Sequence, residues 1–546
     1  MNLPANYLPY ESTGYFSKIV SDYLHQSPLL QPFYQHTPDV AGIKNSITAR
    51  IAFDTPRALL VDVLQQQYAN ITTTEKVKRN IQLLIDKRTF TVTTAHQPNI
   101  FTGPLYFIYK LLHTVKLADE LNTQFPDYKF VPVYYMGSED ADLDELGYVN
   151  VGGQKLVWET KQTGAVGRMK VDKGLIKLIE AIHGQAGVLP FGNELTDLFK
   201  QCYTEGKTIQ QATLELTNSL FADYGLVVLI PDNAQLKKAF HSVVEKELTE
   251  GYSHKIVSAT IEKLGLYYKL QAGGREINLF YLIDDKRERI EVQGLPAGQA
   301  GTKYEVRSLG LHFSKAEILE ELALYPERFS ANVILRGAFQ ETVLPNIAFI
   351  GGGAELAYWL ELKNVFEAVN IPYPVLLLRN SFLLLKPAQS EKLKQLGFTD
   401  TDLFKDTLTL VNTLVKRESA NQLSLINELK QAHDYYAHLQ KITALVDKTL
   451  SEHVMALEKK ALKKLTELEK KLLRAERAKF ETQQKQITNL QQDLFPNNSL
   501  QERVDNFSLH YAANGKNWLR KIYDVSKGLG EGFGVVTDNC VQSPGM

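Results

Sequence analysis

The sequence predicts an α/β protein with a Rossmann-type parallel-sheet core, two insertions in that core and a long α-helical coiled-coil arm. Short, nearly continuous apolar segments alternate with helical segments, as in an open parallel sheet that is covered on both faces. Two long stretches of different character separate these segments. From about residue 386, glycine becomes rare and apolar residues recur at spacings of three and four, which is typical of a coiled coil.

Composition excludes several classes of protein. The chain has 546 residues, enough for more than one core, and its 61 basic residues are balanced by 62 acidic ones. Global attraction to phosphate is therefore absent, and we expect no nucleic-acid partner. The two cysteines, Cys202 and Cys540, form no disulfide framework, and no segment approaches the ~20 apolar residues of a membrane span. We expect a cytoplasmic protein with no membrane partner and no metal site.

The first two segments lead into the core. Residues 1–88 are predicted to form an N-terminal helical segment that joins the core, because apolar residues recur at helical spacing in "TPRALLVDVLQQQYAN" and "TEKVKRNIQLLIDK". Residues 89–149 are predicted to be the first part of the core, with strands "FTVTTA" and "KFVPVYYMG". A helix that starts at Pro104 and is capped by Thr102 lies between the two strands. This β-α-β unit implies parallel strands.

The remaining core is interrupted twice. Residues 150–220 are predicted to be the first insertion, residues 221–234 a core strand ("YGLVVLIPD"), and residues 235–330 the second insertion. Within the second insertion, "KLQAGGREINLFYLIDDKRERIEV" predicts antiparallel strands with turns at Gly273–Gly274 and Asp284–Asp285. Residues 331–385 complete the core, with strands "NVILRG", "IAFIGGG" and "YPVLLLR".

The last two segments are predicted to be a coiled-coil hairpin over residues 386–498 and a return to the core over residues 499–546. A heptad-like seam steps from Leu450 to Ala475. Three large side chains, Leu462, Leu473 and Phe480, lie off this seam and would be exposed in a monomer. An exposed apolar stripe on a long arm usually finds a partner, so we expect a homodimer that forms through the coiled coil.

The loop "HQPNIFTGP" follows the first core strand. Ligands of open α/β sheets bind beyond the carboxyl ends of the strands, and the start of the next helix favours an anion. His96, Asn99, Thr102 and Gly103 then lie where a phosphate or carboxylate would bind. The alternative is a loop that uses these groups only to cap its helix and to satisfy neighbours.

The loop "GSEDADLDE" follows the second core strand and places five acidic residues in seven positions. Glu139 and Asp140 are nearest to the strand end. A crowded carboxylate can act as a base or can bind a cation or an amine. The alternative is a solvated acidic loop.

The third cluster is "LRGAFQETVLPNIAFIGGGAELAYW". Gly351, Gly352 and Gly353 follow a strand and open a helix, so backbone N–H groups can approach an anionic ligand, and Glu355 and Tyr358 would face the cleft from that helix. Arg336 and Arg379 are each predicted at a strand end, where a guanidinium can bind a carboxylate. Their alternative role is an ion pair with the acidic loop. The three clusters suit a substrate that carries both an amine and a carboxylate.

Four segments in order resemble the bacillithiol biosynthesis cysteine-adding enzyme family, a family of cysteine ligases. They are "AHQPNIFTGPLYFIYK", "VPVYYMGSEDADLDE", "LRGAFQETVLPNIAFIGGGAELAYWLELKNVFE" and "LQERVDN". The resemblance implies amide formation between cysteine and glucosaminyl-malate in the last step of bacillithiol synthesis, and a homodimer. Family members often carry a His between the acidic residues of the second segment. Here that position is Ala141, so no base acts there.

From this resemblance we expect Glu139, Asp140 and His96 to be catalytic. Arg336 and Arg379 would bind substrate carboxylates, and the remaining residues of the three clusters would bind the substrate. The activating cofactor stays open, with ATP or another nucleotide as candidates. Two other functions stay open as well: a synthetase-like nucleotidyl-transfer enzyme, and a non-catalytic scaffold that dimerises through its coiled coil.

Overall fold

A computed structural model describes residues 5–270, 273–294, 296–297, 299 and 301–537; Cys540 lies outside them. The chain divides into two compact units, one formed by the described parts of residues 1–384 and 499–546, the other by residues 385–498. None of the helices in the described ranges combines the length and the apolar content that a bilayer span requires.

The strands of the described ranges are numbered in chain order. They are β1 (Ala5–Leu8), β2 (Thr89–His96), β3 (Lys129–Met136), β4 (Tyr148–Val151), β5 (Gln154–Val157), β6 (Val227–Leu229), β7 (Leu279–Ile283), β8 (Lys286–Arg289), β9 (Glu291–Gln293), β10 (Lys303–Val306), β11 (Leu311–Ser314), β12 (Phe329–Ala331), β13 (Asn346–Gly351), β14 (Val375–Leu378), β15 (Phe382–Leu385) and β16 (Phe533–Thr537).

The α-helices are numbered in the same way. Before the second unit they are α1 (Lys18–Leu24), α2 (Val40–Ile51), α3 (Arg57–Tyr68), α4 (Glu75–Leu83), α5 (Tyr106–Gln124), α6 (Leu143–Leu146), α7 (Lys173–Ala186), α8 (Gly192–Cys202), α9 (Ile209–Phe221), α10 (Ala234–Ala239), α11 (His241–Glu250), α12 (Tyr252–Leu264), α13 (Lys315–Leu324), α14 (Val333–Val343), α15 (Gly353–Trp359) and α16 (Lys363–Glu367). They continue with α17 (Pro387–Gln395), α18 (Thr407–Glu418), α19 (Ile426–Ala444), α20 (Lys448–Arg477), α21 (Glu481–Leu494), α22 (Gln501–Val504), α23 (Ser508–Asn514) and α24 (Lys516–Val525).

A five-stranded sheet with the strand order β14-β13-β2-β3-β6 forms the centre of the first unit, and all of its neighbouring strands are parallel. This confirms the predicted α/β class and Rossmann-type core. The chain runs outward from β2 to β6 in one direction and then resumes at β13 on the other side of β2. That reversal makes a topological switch point between β2 and β13, where the crevice of a doubly wound sheet binds its ligand.

The core under this sheet is apolar. Helices α2 and α5 contribute Ile43, Ile47, Leu117 and Leu121, which pack with Phe90, Val92, Ile347 and Val375 of the strands. All of these side chains are almost completely buried. The short apolar segments that predicted strands therefore do form the interior of the sheet.

The segment "NVILRG" was predicted to be a strand, but it is the start of helix α14. The Asn332 side chain accepts a hydrogen bond from the backbone N–H of Ile334 and so caps the helix. Ile334, Leu335 and Ala338 are fully buried, at helical spacing. The prediction was wrong because a short apolar segment fits both periodicities, and the cap decides between them.

The insertions are built from local sheets and helices. In the second insertion, β7 and β8 form an antiparallel hairpin with its turn at Asp284–Asp285, as predicted. The predicted turn at Gly273–Gly274 is wrong, because these residues follow α12 and no strand precedes them in the described part of residues 265–278. A strand also occurs in the N-terminal segment that we predicted as helical, since β1 pairs with β16 in a sheet ordered β1-β16-β15.

In the second unit, α19 and α20 form an antiparallel pair, and polar contacts join α20 to α19 and to the residues just before it. Glu458 binds His433 and Gln440, Glu469 accepts from the backbone N–H of Leu425, and Glu476 binds Asn421. We expected the side chains that lie off the seam to be exposed in a monomer. This was wrong, because Leu462, Leu473 and Phe480 are half-buried. The exposed apolar residues of α20 instead include Leu450, Leu457 and Leu468, which share one helical face.

Candidate active site at the carboxyl edge of the parallel sheet

The three polar clusters of the sequence meet at the carboxyl edge of the parallel sheet. His96 ends β2, Glu139 and Asp140 follow β3, Gly351 ends β13 and Arg379 follows β14. Arg336 reaches this edge from helix α14 and not from a strand end, which corrects the prediction for its position.

Ion pairs organise the β3 and β6 side of the edge. Arg336 Nη1 donates to Asp140 Oδ2 at 2.8 Å. Next to this pair, Lys237 binds Glu139, which also accepts from Ser330 Oγ at 3.1 Å. Arg168 binds Asp232 through two hydrogen bonds of 2.6 and 2.7 Å. Neither Lys237 nor Arg168 was singled out from the sequence, because each lies far along the chain from its partner and no local pattern marks it.

These partners set the ionisation of Asp140. Burial alone would raise the pKa of Asp140, but Arg336 and Arg287 outweigh burial and hold this pKa below its ordinary value. Asp140 is therefore a carboxylate at neutral pH and a weak base. The expectation that it removes a proton from the substrate is not supported by this environment.

Gly137 allows Arg336 to approach the loop. A Cβ atom on Gly137 would lie 3.1 Å from Arg336 Nη1, closer than ordinary packing tolerates. The glycine thus makes room for the guanidinium between the loop and α14. The sequence shows Gly137 only as the residue after a strand.

The other side of the edge surrounds the switch point. Lys110 of α5 is 1% exposed and donates to Ala95 O and to Glu355 Oε2, both at 2.6 Å. Glu355 Oε2 also accepts from Gly352 N at 2.7 Å. The N–H group of Gly352, which we expected to face an anionic ligand, therefore donates to the Glu355 carboxylate instead. Burial lowers the pKa of Lys110, with Glu355 opposing the shift and Arg379 adding to it.

Arg379 is held by internal partners. Its Nη2 donates to Glu502 Oε1 at 2.7 Å, and its Nη1 donates to Asn380 O and Ser381 Oγ, both at 3.0 Å. The guanidinium also lies 5.0 Å from the centre of the Tyr106 ring. These contacts tie Arg379 to the C-terminal return of the chain and leave little of it for a substrate carboxylate.

The loop after β2 differs from its prediction. Helix α5 begins at Tyr106 and has no side-chain cap, so Thr102 is not its cap. Thr102 lies in a short 3₁₀ turn and has a φ of 72°, and Gly103 follows with a φ of 63°. A Cβ on Gly103 would lie 2.7 Å from Asn99 Cβ. This position therefore needs glycine both for its positive φ and for the close approach of Asn99.

This loop leaves buried polar atoms without partners. Within the described residues, His96 Nε2, Asn99 Oδ1 and Thr102 Oγ1 form no hydrogen bond. Burial holds the pKa of His96 well below its ordinary value, Lys110 and Arg379 add to this effect, and Asn99 opposes it. His96 is therefore a neutral imidazole at the switch point, able to accept or donate one hydrogen bond to a ligand.

An open groove with a cavity volume of about 630 Å³ meets the loop after β2 at Gln97. It is lined by Gln97, Arg287 and the acidic loop 140–145. Partial burial raises the pKa of Glu145, and the nearby carboxylates of Asp142 and Asp140 raise it further. Glu145 is thus a better proton acceptor than Asp140. The described residues contain no group of three or more His, Cys, Asp and Glu side chains that could hold a metal ion.

Tyr358 of α15 is half-buried near Arg336 and Glu355, and burial raises the pKa of its hydroxyl. Trp359 is 1% exposed and belongs to the core. A Cβ on Gly352 or Gly353 would make only ordinary van der Waals contacts, whereas a Cβ on Gly351 would lie 2.9 Å from the Phe349 ring. The strict need for glycine is therefore at Gly351.

Comparison with known proteins places the chain in a family. Residues 3–380 match the family described as "Bacillithiol biosynthesis BshC, N-terminal Rossmann-like domain", and residues 382–537 match its "C-terminal coiled-coil domain". A Flavobacterium johnsoniae protein named "Putative cysteine ligase BshC" is 41% identical over 537 residues, covering 98% of this chain and 100% of that protein. A protein of the same name from Christiangramia forsetii is 38% identical over 543 residues, covering 98% of this chain and 99% of the other.

Among solved structures, one described as a putative arginyl-tRNA synthetase from Campylobacter jejuni covers 82% of this chain and 99% of that chain at 13% identity. Its TM-score of 0.22 is too low to carry an argument about fold or function. The two domain matches and the full-length relatives show that the chain belongs to the BshC family of bacillithiol biosynthesis.

Proposed function

We propose that this protein is a cysteine ligase that forms an amide bond between the carboxyl group of cysteine and the amine of glucosaminyl-malate. The observation that carries the proposal is the groove at the sheet edge, where the acidic loop and the guanidinium of Arg287 line one cavity. Such a surface fits a substrate that presents an ammonium group and carboxylates together. Membership of the BshC family and the names of the relatives support the same reaction.

The chemistry assigns different roles to the two kinds of group. The amine must lose a proton before it attacks, and Glu145 is the proposed acceptor because its pKa is raised and it lines the groove. A carboxylate is a poor electrophile, so the cysteine carboxyl group must arrive in an activated form. The neutral amine then attacks the acyl carbon, the C–N bond forms, and the activating group leaves with the electrons of the broken bond.

The remaining residues have supporting roles in this proposal. His96 hydrogen-bonds to the acyl group through its unpartnered Nε2, with Asn99 and Thr102 beside it. Arg336, whose side chain is 26% exposed, is available to a substrate carboxylate. Arg379 is proposed to position the C-terminal return and not to bind substrate, because Glu502 already neutralises it.

The test is a deletion strain of the source organism, analysed by mass spectrometry for thiol-labelled bacillithiol and for glucosaminyl-malate. We expect bacillithiol to be absent, glucosaminyl-malate to accumulate, and the wild-type gene to restore both. The Glu145→Gln variant should fail to restore bacillithiol. The matched control is Glu205→Gln, because Glu205 is exposed and does not line the groove.

The alternatives give different results. Normal bacillithiol in the deletion strain, without a second gene copy, would contradict the ligase assignment and would favour a nucleotidyl-transfer enzyme with another product. A non-catalytic scaffold predicts that Glu145→Gln restores bacillithiol as well as the wild type does.

A further inference from the structure

Arg287 reaches the site from the second insertion, and nothing in the sequence marked it. It lies on β8, in the hairpin with β7, and its guanidinium is 3.9 Å from the centre of the Phe280 ring. Its Nε donates to Ser330 Oγ at 3.1 Å, and Ser330 in turn donates to Glu139. These contacts orient the guanidinium toward the loop that follows β3.

The Arg287 side chain is 7% exposed, yet part of it lacks a hydrogen bond. Its Nη1 lies 3.9 Å from Asp140 Oδ1, beyond hydrogen-bonding distance. Within the part of the chain that the structure describes, Nη1 forms no other polar contact. Nε and Nη2 donate to Ser330 Oγ and Ala331 O, so Nη1 is the donor of Arg287 that a ligand in the groove can use.

Charge counting identifies the same residue. The cluster contains four cations and three anions: Arg168, Lys237, Arg287 and Arg336 against Asp232, Glu139 and Asp140. Three of the cations have their own carboxylate within a hydrogen bond, in the pairs Arg168–Asp232, Lys237–Glu139 and Arg336–Asp140. Arg287 is therefore the cation of this cluster that has no carboxylate within hydrogen-bonding distance, although the groove that it lines is acidic.

The position of Arg287 gives this charge access to a ligand. The residue lines the open groove, and it also lines a small inner pocket with Tyr135, Ser138 and Phe339. The inner pocket has a cavity volume of about 10 Å³, which is about the space of one water molecule. A ligand in the groove can reach Arg287 without entering the inner pocket.

We infer that Arg287 is a substrate-binding residue and that it accepts a carboxylate of the malate part, so that the second insertion completes the site. This inference rests on the proposed function and deepens it. The substrate lies in the groove with its carboxylate on Arg287 and its amine beside the acidic residues Asp142 and Glu145. The Asp140 contact at 3.9 Å gives way to a shorter, charge-assisted bond with the substrate.

The experiment measures binding to the full-length protein by calorimetry with three probes: glucosaminyl-malate, its N-acetylated form and methyl glucosaminide, which lacks the malate. Arg287→Gln should weaken glucosaminyl-malate binding by about 10- to 100-fold, as expected for the loss of a charge-assisted hydrogen bond. Arg287→Lys should retain part of the affinity. The weakening should persist with the N-acetylated probe and should vanish with methyl glucosaminide.

The matched control is Arg289→Gln. Arg289 lies on the same strand, is exposed, and stacks on the same Phe280 ring at 5.1 Å. It should bind all three probes as the wild type does. Equal melting temperatures of the ligand-free variants would show that Arg287→Gln does not act through folding.

The outcomes separate the two proposals. If the wild type binds glucosaminyl-malate and Arg287→Gln binds it equally well, the inference is wrong and the proposed function stands. If Arg287→Gln weakens methyl glucosaminide as much as glucosaminyl-malate, Arg287 does not contact the malate part. Inorganic phosphate serves as a fourth probe, and binding of phosphate that depends on Arg287 without any malate dependence would assign the residue to a phosphate instead. A wild type that binds none of the sugar probes would remove both proposals.

Discussion

Removal of the Glu502 carboxylate should destabilise the first unit strongly. Glu502 is completely buried on α22, in the C-terminal return, and it accepts from Arg379 Nη2 at 2.7 Å and from Phe382 N at 3.1 Å. Burial lowers the pKa of Arg379, but Glu502 outweighs burial and raises it above its ordinary value. In Glu502→Ala, the guanidinium keeps its charge and loses its counterion.

The magnitude follows from what stays buried. Breaking a buried ion pair by removing one partner costs about 3–5 kcal/mol, and the Phe382 N–H without an acceptor adds roughly 1 kcal/mol or more. We therefore expect Glu502→Ala to lower the free energy of unfolding by about 4–6 kcal/mol. Replacing both partners, in Arg379→Met with Glu502→Leu, should recover much of the loss, because no unpaired charge then remains.

The assay is urea unfolding followed by tryptophan fluorescence. The three tryptophans, Trp158, Trp359 and Trp518, are all buried in the first unit, so the signal reports on that unit alone. Glu75→Ala is the control, since it breaks the exposed Glu75–Lys78 pair and should change little. A loss below about 1 kcal/mol in Glu502→Ala would refute the reasoning, as would a double variant less stable than the single one.

Three further predictions use the same or simpler measurements. Asn332→Ala should lower the free energy of unfolding by about 1 kcal/mol or more, because α14 loses its cap and Asn278 Oδ1 loses the hydrogen bond from Asn332 Nδ2; an unchanged free energy in urea unfolding would contradict this. Burial lowers the pKa of His113 from 6.5 to about 4, so His113 takes up its proton at a higher pH in the unfolded chain than in the folded protein. Between pH 6.5 and about 4, the free energy of unfolding should therefore decrease by up to roughly 1.4 kcal/mol for each unit by which the pH falls. His113→Gln should remove this part of the slope, and an unchanged slope would exclude His113 as its source. The exposed face of α20 should pair with a second copy of the chain. Light scattering should then show a dimer for the wild type and a monomer for the double variant Leu457→Glu/Leu468→Glu. A monomeric wild type would contradict this prediction.

Local patterns predicted the sheet well, because its strands are buried on both faces and so appear as short apolar segments. The same property misled the prediction at residues 332–337, where a short apolar segment is the first turn of α14. Asn332 could have indicated a helix start, because Asn is a common N-cap. It distinguishes a helix from a strand only together with the helical spacing of the apolar residues that follow it.

The candidate site was predicted less completely than the fold. His96 and Asp140 come together at one edge because parallel strands bring their carboxyl ends together, and Arg336 joins them from helix α14. Arg287 and Lys237 could not be found, because their partners are distant in sequence and only the packing of the second insertion brings them near. For the same reason the sequence could not show that Glu502 forms an ion pair with Arg379.

The pairing of β1 with β16 has a consequence for synthesis on the ribosome. Residues 5–8 are among the first to emerge, and their partners, residues 533–536, emerge more than five hundred residues later. Glu502, the buried counterion of Arg379, is also translated after the whole of residues 385–498. The second unit is complete once residue 498 has been translated, whereas the first must wait for its own last segment. We therefore expect the first unit, with its β1-β16-β15 sheet, to be the late-folding part of a nascent chain.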